Sequence, residues 1–131
     1  MRGSRVDTSI WIATFRSHCP LDLESVVAFE DIVTCPPVVQ EVLQGFRDDG
    51  PHRRARLAMM SLPMVGDPMP VQIFETASDL YRTARRRGLT VQSSVDCLIA
   101  ACALTFDLEV LHRDRDFPAL ASVSFLRERA A

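Results

Sequence analysis

Hydrophobic positions along the chain alternate between short apolar runs and longer segments with helical periodicity. Apolar runs at residue 6 and over 32–34, 64–65, 109–112 and 123–126 predict strands. The spacing elsewhere predicts helices over 10–15, 21–29, 37–46, 52–62, 71–87, 94–106 and, at the end of a loop, within 114–121. Short strands that alternate with helices indicate an α/β fold, in which helices cover both faces of a mainly parallel sheet.

Several residues of the chain are typical of helix starts and ends. Pro37 suits a first helical position, Gly88 is a normal helix terminator, and Ser93 or Ser94 is a suitable N-cap. The chain contains no internal repeat and no linker composition, so we predict a single domain over residues 1–131. Residues 1–5 have the character of a disordered or vector-derived leader.

The composition is that of a globular domain: 47% of the 131 residues are hydrophobic and 24% are charged. With 15 basic and 17 acidic side chains, the net charge of -2 excludes a uniformly basic coat for nucleic acid. Contact with RNA would therefore need a local basic patch or metal ions. All 15 basic residues are arginine, so mechanisms that need a lysine are excluded.

The cysteines and the apolar segments bear on the compartment. The four cysteines form no CxxC pair and no zinc-ligand spacing, which favours reduced thiols and a cytoplasmic protein. The chain starts without the apolar region of a signal peptide. The longest apolar stretch, 98–104, is too short to span a bilayer, and we expect no membrane contact.

Acidic residues recur near the carboxyl ends of predicted strands. Asp7 follows the first strand, and Glu41 lies one turn into the helix after the second. Asp96 lies in the first turn of the 94–106 helix, and Asp114 and Asp116 follow the strand 109–112. Because open parallel sheets bind ligands beyond the carboxyl ends of their strands, these acids are candidates for one shared site.

Four or five carboxylates that converge without a lysine would repel one another unless a cation neutralises them. Hard divalent cations with oxygen ligands are the natural solution, and Mg²⁺ combines few carboxylates with water and substrate phosphate. Such a site suits phosphodiester hydrolysis, where one ion activates a water and a second stabilises the leaving oxygen.

Each acid also has a simple structural explanation. Asp7 caps a helix in this interpretation, Asp96 is a favourable first-turn charge, and Asp114 and Asp116 are turn formers. Glu41 is then a solvated helix residue. Taken singly these explanations are the better ones, and only the joint placement of the acids favours a site.

Four segments of the chain carry recognisable motifs, in this order: residues 6–11 (VDTSIW), 41–45 (EVLQG), 96–101 (DCLIAA) and 111–117 (LHRDRDF). Together they resemble the ordered motifs of PIN-domain proteins, and in particular those of the VapC-type toxins of bacterial toxin–antitoxin pairs. The resemblance covers about 6–121.

The resemblance implies a three-layer α/β/α sandwich and a Mg²⁺- or Mn²⁺-dependent endoribonuclease that cuts structured RNA, commonly tRNA or ribosomal RNA. It also implies a homodimer that is neutralised by a cognate VapB-type antitoxin. By position, the metal-binding acids are Asp7, Glu41, Asp96 and Asp114, with Asp116 as an additional or substitute ligand. Side chains near these acids are candidates for contacts with the site or with substrate: Thr8, Ser9, Arg113 and Arg115.

Other polar features have two interpretations. Arg82, Arg85 and Arg86 share a helix face that either grips RNA phosphates or is simply solvated, and a second cluster over 53–56 is equally ambiguous. His112 is either a general acid or base or, more commonly for such a residue, structural. Gln92 stands where close relatives often carry a basic residue.

Two alternative functions differ in class from a nuclease. A receiver-like signalling domain also clusters aspartates at strand ends, but it needs a lysine that this chain lacks. A catalytically silent PIN-like binding module would keep the fold without the chemistry, and the presence of all the motif acids argues against it.

Overall fold

A computed structural model describes the backbone of residues 9–11, and residues 32–112 and 114–130 in full. In these ranges, four parallel strands form one sheet, accompanied by five helices. The strands are β1 (Ser9–Trp11), β2 (Ile32–Val33), β3 (Glu109–His112) and β4 (Arg127–Ala130). Their order in the sheet is β2-β1-β3-β4. The helices are α1 (Pro36–Leu43), α2 (Asp49–Met60), α3 (Val71–Arg86), α4 (Ser94–Phe106) and α5 (Asp116–Ala121). The α/β class predicted from sequence is confirmed.

The register places the strand ends at one edge. Ser9 pairs with Ile32 on one side and with Glu109 on the other, and Glu109 in turn pairs with Arg127. All four described strands run in the same direction. The segments that follow β2 and β3 therefore leave the sheet at the same edge, where parallel sheets place their ligands.

Helices α3 and α4 pack against each other and contribute ten of the 24 buried hydrophobic residues that the structure describes. The apolar face of α3 repeats at helical spacing through Ile73, Ala77, Leu80 and Ala84, all of which are buried. Helix α4 is mostly apolar, and seven of its 13 residues are buried. These are Asp96, Cys97, Ile99, Ala100, Ala101, Cys102 and Ala103. Asp96 lies in the first turn of α4, so the packing of this helix restricts the position of its side chain.

The predicted ends of these helices agree with the structure. Gly88 follows α3 with φ at +77°, a left-handed conformation that glycine adopts without steric cost. The amide of Leu89 donates to the carbonyl of Ala84, which closes the helix end. Ser93 is the N-cap of α4, as the sequence predicted.

Two predicted elements are wrong. Ile10 and Trp11 belong to β1 and not to a helix over 10–15, because both sides of this strand are paired and long-range pairing overrides the local pattern. The last strand is β4 and not 123–126: Leu126 is buried just before it, and Phe125 is 96% exposed. The predicted strand at Val6 and the helix over 21–29 lie outside the described residues.

Strand β4 has the sequence RERA, which carries no hydrophobic alternation. Among the described strands it pairs only with β3, and its exposed position at the end of the strand order needs little apolar surface. Polar contacts join it to its surroundings: Arg127 to Asp107 at 3.0 Å and Arg129 to Glu109 at 3.0 Å. In the described part of the chain, none of the helices combines the length and the apolar character needed to cross a bilayer.

Candidate metal centre

Three of the predicted acids meet beyond the carboxyl end of β3. Asp96, Asp114 and Asp116 each place a carboxylate oxygen within 4.8 Å of the others. Asp96 is fully buried and Asp116 is 1% exposed, whereas Asp114 is half-buried and lies toward the surface. Of the groups that the structure describes, this is the one with the geometry of a metal site.

Asp96 is positioned by the start of α4. The Ser93 hydroxyl oxygen accepts a hydrogen bond of 3.4 Å from the Asp96 amide, which fixes the first turn of the helix. A carboxylate in this turn also interacts favourably with the helix dipole. The same arrangement therefore supports the structural interpretation of Asp96 and presents its carboxylate to the cluster.

Asp116 is held by two backbone amides of the segment that leads into α4. Its Oδ1 accepts from the Gln92 amide at 2.9 Å, and its Oδ2 accepts from the same amide at 3.1 Å and from the Ser93 amide at 3.0 Å. Hydrogen bonds from N–H groups to a carboxylate are stronger than neutral ones. Helix α5 is thereby joined to the entrance of α4, with the carboxylate at the junction.

Asp114 lies in the turn between β3 and α5. Its amide donates to Nδ1 of His112 at 3.1 Å, and its Oδ1 accepts from the Asp116 amide at 2.9 Å. His112 is buried, and its Nε2 lies 2.6 Å from Oε1 of Glu128 on β4. Both ring nitrogens are thus engaged, which favours the structural interpretation of His112 over general acid–base catalysis.

The negative charge of the cluster affects the pKa of a neighbouring thiol, that of Cys97. Burial raises the pKa of Cys97 from 9.0 to about 11, and the carboxylates of Asp116 and Asp96 contribute to that increase. These carboxylates disfavour another negative charge nearby and favour a positive one. Three clustered carboxylates with two of them buried are the oxygen donors that hard divalent cations prefer, so the residues present fit Mg²⁺ or Mn²⁺.

Not every predicted acid joins the cluster. Glu41 lies half-buried on α1, where its Oε2 accepts from the side-chain Nε2 of Gln44 at 3.4 Å, and it is not one of the three clustered carboxylates. Asp7, Thr8 and Arg113 lie outside the described residues. Ser9 is described only by its backbone, as a residue of β1.

Arg115 has the position expected of a substrate contact. It is exposed beside Asp116 and lines a cavity of about 370 Å³. The other lining residues are Leu89, Thr90, Gln92, Asp116 and Ala119. The arginines of α3 have local partners instead: Arg82 lies 3.6 Å from Asp79, and Arg85 lies over the Tyr81 ring at 5.4 Å. The solvated interpretation of that helix face therefore accounts for both.

Sequence reasoning missed Glu128 and the two amides that hold Asp116. Glu128 belongs to a strand whose polar sequence gave no strand signal. His112 was the one sequence feature that indicated such a partner, because a histidine at the buried end of a strand needs a hydrogen-bond partner for each ring nitrogen. The amides of Gln92 and Ser93 carry no side-chain signature and could not have been found from residue types.

A parallel sheet with carboxylates gathered beyond its strand ends is typical of α/β domains that bind divalent cations. The family model described as PIN domain matches residues 5–123. The chain therefore belongs to the PIN domain family.

Particular relatives refine this placement. Ribonuclease VapC11 of Mycobacterium tuberculosis is 35% identical over 127 residues, covering 93% of this chain and 94% of that protein. The VapC ribonuclease Mb1587 of Mycobacterium bovis matches with the same identity over the same shares.

Solved structures agree with the fold. The VapBC-5 toxin–antitoxin structure from Mycobacterium tuberculosis superposes with a TM-score of 0.73 at 18% identity, covering 95% of this chain and 98% of that one. VapBC2 from Rickettsia felis, bound to a promoter DNA fragment, gives 0.67 at 13% identity, with 95% and 99% covered. The family, the fold class and the VapC-type ribonuclease predicted from sequence are confirmed.

Proposed function

We propose that this chain hydrolyses phosphodiester bonds in structured RNA, tRNA or ribosomal RNA, at a divalent-cation centre formed by Asp96, Asp114 and Asp116. The observation that carries the proposal is the convergence of these three carboxylates within 4.8 Å, two of them buried. An uncompensated cluster of this kind is costly, and a cation relieves the cost.

The three acids have different parts in this proposal. Asp96 and Asp114 are ligands in this proposal, and Asp116, whose two oxygens accept backbone hydrogen bonds, is an additional one. Asp116 contributes negative charge and fixes the loop. A bound Mg²⁺ or Mn²⁺ supplies the positive charge that activates an attacking water and neutralises the phosphate. Asp7 and Glu41 complete the acidic set, as the resemblance to the family implies.

Substrate contacts are assigned by position. Arg115 lies next to the cluster and faces solvent, where its guanidinium can pair with a phosphate of the bound strand. Arg113, Thr8 and Ser9 join it in the proposal through the same motifs. Gln92 lines the same cavity but is neutral, so Arg115 supplies the positive side-chain charge among the residues that line it.

An antitoxin partner and a homodimer are also part of the proposal. The solved neighbours are toxin–antitoxin complexes, which supports a VapB-type antitoxin as the partner of this chain, and a homodimer is expected as in the family. Cys35, Cys97 and Cys102 are free thiols, which suits a cytoplasmic setting. Light scattering of the purified chain, alone and after co-expression with the antitoxin encoded beside it, measures both assemblies.

The test of the activity is cleavage of total tRNA and ribosomal RNA by antitoxin-free protein. Reactions contain Mg²⁺, Mn²⁺ or EDTA, and the wild type is compared with Asp96→Asn. Asp79→Asn is the matched control, since Asp79 is an exposed aspartate on α3 that lies outside the cluster.

Discrete fragments that disappear with EDTA and with Asp96→Asn, but persist with Asp79→Asn, are the expected result. Cleavage that survives both EDTA and Asp96→Asn would contradict the metal centre. No cleavage by folded wild type under any condition would instead favour the silent binding module.

A further inference from the structure

We propose that His112 and Glu128 are positioning residues that hold Asp114 in place for the cation. Strand β4, which carries none of the clustered acids, would thereby determine the geometry of the metal centre through β3. The inference rests on the proposed function only in taking Asp114 as a cation ligand.

The hydrogen bonds define the state of the imidazole. Nδ1 of His112 accepts the Asp114 amide at 3.1 Å, so this nitrogen carries no proton. The proton of the ring is then on Nε2, which donates to Oε1 of Glu128 at 2.6 Å. Glu128 therefore selects the tautomer that leaves Nδ1 able to receive the Asp114 amide.

The hydrogen bond to His112 orients the backbone of Asp114, the proposed cation ligand. With its amide directed at a buried ring, the peptide unit of Asp114 has a fixed orientation, and its Oδ1 receives the Asp116 amide at 2.9 Å. The ring of His112 is itself packed against Phe117, with centroids 4.9 Å apart and planes at 40°. The turn that carries two of the three clustered acids is thus anchored to one buried side chain.

The sheet register explains why Glu128 is the residue that reaches His112. His112 pairs with Ala130 and Val110 pairs with Glu128, so Glu128 lies diagonally across from His112 on the same face of the sheet. The opposite face carries an equivalent diagonal pair, Arg129 and Glu109, which does not contact the cluster. A variant that breaks the pair of Arg129 and Glu109 is therefore a control for variants that break the pair of His112 and Glu128.

A purely structural role would give a different result from a positioning role. If His112 only stabilised the sheet, its loss would lower stability without changing the cation affinity of protein that remains folded. If it positions Asp114, loss of the Nδ1 acceptor weakens cation binding, and asparagine, whose Oδ1 can replace Nδ1, restores it.

The experiment measures Mn²⁺ affinity by titration calorimetry on the purified, antitoxin-free chain. The variants are His112→Leu, His112→Asn, Glu128→Leu and Glu128→Gln, with Arg129→Gln as the control that breaks the opposite pair. Folding of each variant is checked by circular dichroism. We expect His112→Leu and Glu128→Leu to weaken Mn²⁺ binding about tenfold or more, the usual effect of losing a group that orients a ligand.

We expect His112→Asn and Glu128→Gln to retain affinity within about threefold, and Arg129→Gln to match the wild type. Equal Mn²⁺ affinity in folded His112→Leu and wild type would overturn the proposal, as would a wild type that binds no Mn²⁺. Wild type that binds Mn²⁺ but cleaves no RNA would contradict the proposed function alone.

If the leucine variants do not fold, NMR of the His112 imidazole tests the proposal instead. The ¹⁵N shifts of the wild-type imidazole should show a protonated Nε2 and an unprotonated Nδ1. Glu128→Gln should keep that pattern and leave the Asp114 amide resonance in place. A protonated Nδ1 in the wild type would overturn the inference.

Discussion

The carboxylate of Asp116 accepts hydrogen bonds from the backbone amide of Gln92 at 2.9 and 3.1 Å, across 24 residues of sequence. The contact joins the start of α5 to the segment that caps α4. It makes Asp116 a structural residue as well as a member of the acidic cluster.

Asp116→Ala should leave the free energy of unfolding about 2 kcal/mol lower than Asp114→Ala does, because two backbone amides lose a charged acceptor in a buried region. Both variants remove one charge from the cluster, and Asp114 is half-buried and accepts one backbone bond in the turn, so the difference between them isolates the amide contacts of Asp116. Urea unfolding in EDTA measures both. Equal losses for the two variants would contradict the anchoring role of Asp116.

Asp96→Asn should stabilise the protein in EDTA and abolish stabilisation by Mg²⁺. Like charges about 5 Å apart repel by about 3 kcal/mol at an effective dielectric of 20, and the amide removes that repulsion. In the wild type, Mg²⁺ at 100 times its Kd should add about 2.7 kcal/mol. Thermal melts with and without Mg²⁺ measure the difference. Asp79→Asn should behave as the wild type, and a Mg²⁺ response in Asp96→Asn would disprove the assignment.

The Cys97 thiol should make stability fall between about pH 9 and 11. Its pKa is raised from an ordinary value of 9.0 to about 11 in the folded protein, so in that window the native state holds a proton that the unfolded state has lost. Stability from this group is fully present below pH 9 and is lost as the pH rises. Two pKa units correspond to about 2.7 kcal/mol.

The pH effect is measured by urea unfolding in reductant at several pH values. Cys97→Ala is the control: its absolute stability falls because a small cavity forms, but its slope between pH 9 and 11 should be shallower than that of the wild type. Equal slopes in the two proteins would show that Cys97 contributes nothing to the pH dependence.

Arg115→Gln should reduce RNA cleavage about tenfold, mainly through a higher KM, because a phosphate contact beside the cluster is lost. Its cleavage should also depend less steeply on salt. Arg82→Gln should change the rate less than twofold, since Arg82 is paired with Asp79 on a solvated face. Initial rates at several salt concentrations check this. A larger effect from Arg82 would move the RNA contact to α3.

The sequence alone predicted strand β3 with its observed bounds, and the long helix α3 to within one residue. Helical periodicity and a terminating glycine are local signals, so they survive in the fold. Local signals failed at Ile10 and Trp11 and at β4, which has no apolar pattern. Ile10 pairs with both β2 and β3, and Trp11 pairs with β3. In both places distant pairing decided the element.

For the acids of the site, too, the sequence decided some features and the tertiary structure decided others. The order of motifs in the sequence was enough to name Asp96, Asp114 and Asp116 and to indicate cation chemistry, because like charges at strand ends need neutralising. Only the tertiary structure brought these three carboxylates within 4.8 Å and left Glu41 outside their cluster. The bond from Asp116 to Gln92 and the pair of His112 with Glu128 were likewise decided by folding. Such contacts depend on backbone amides and strand register, neither of which residue types encode.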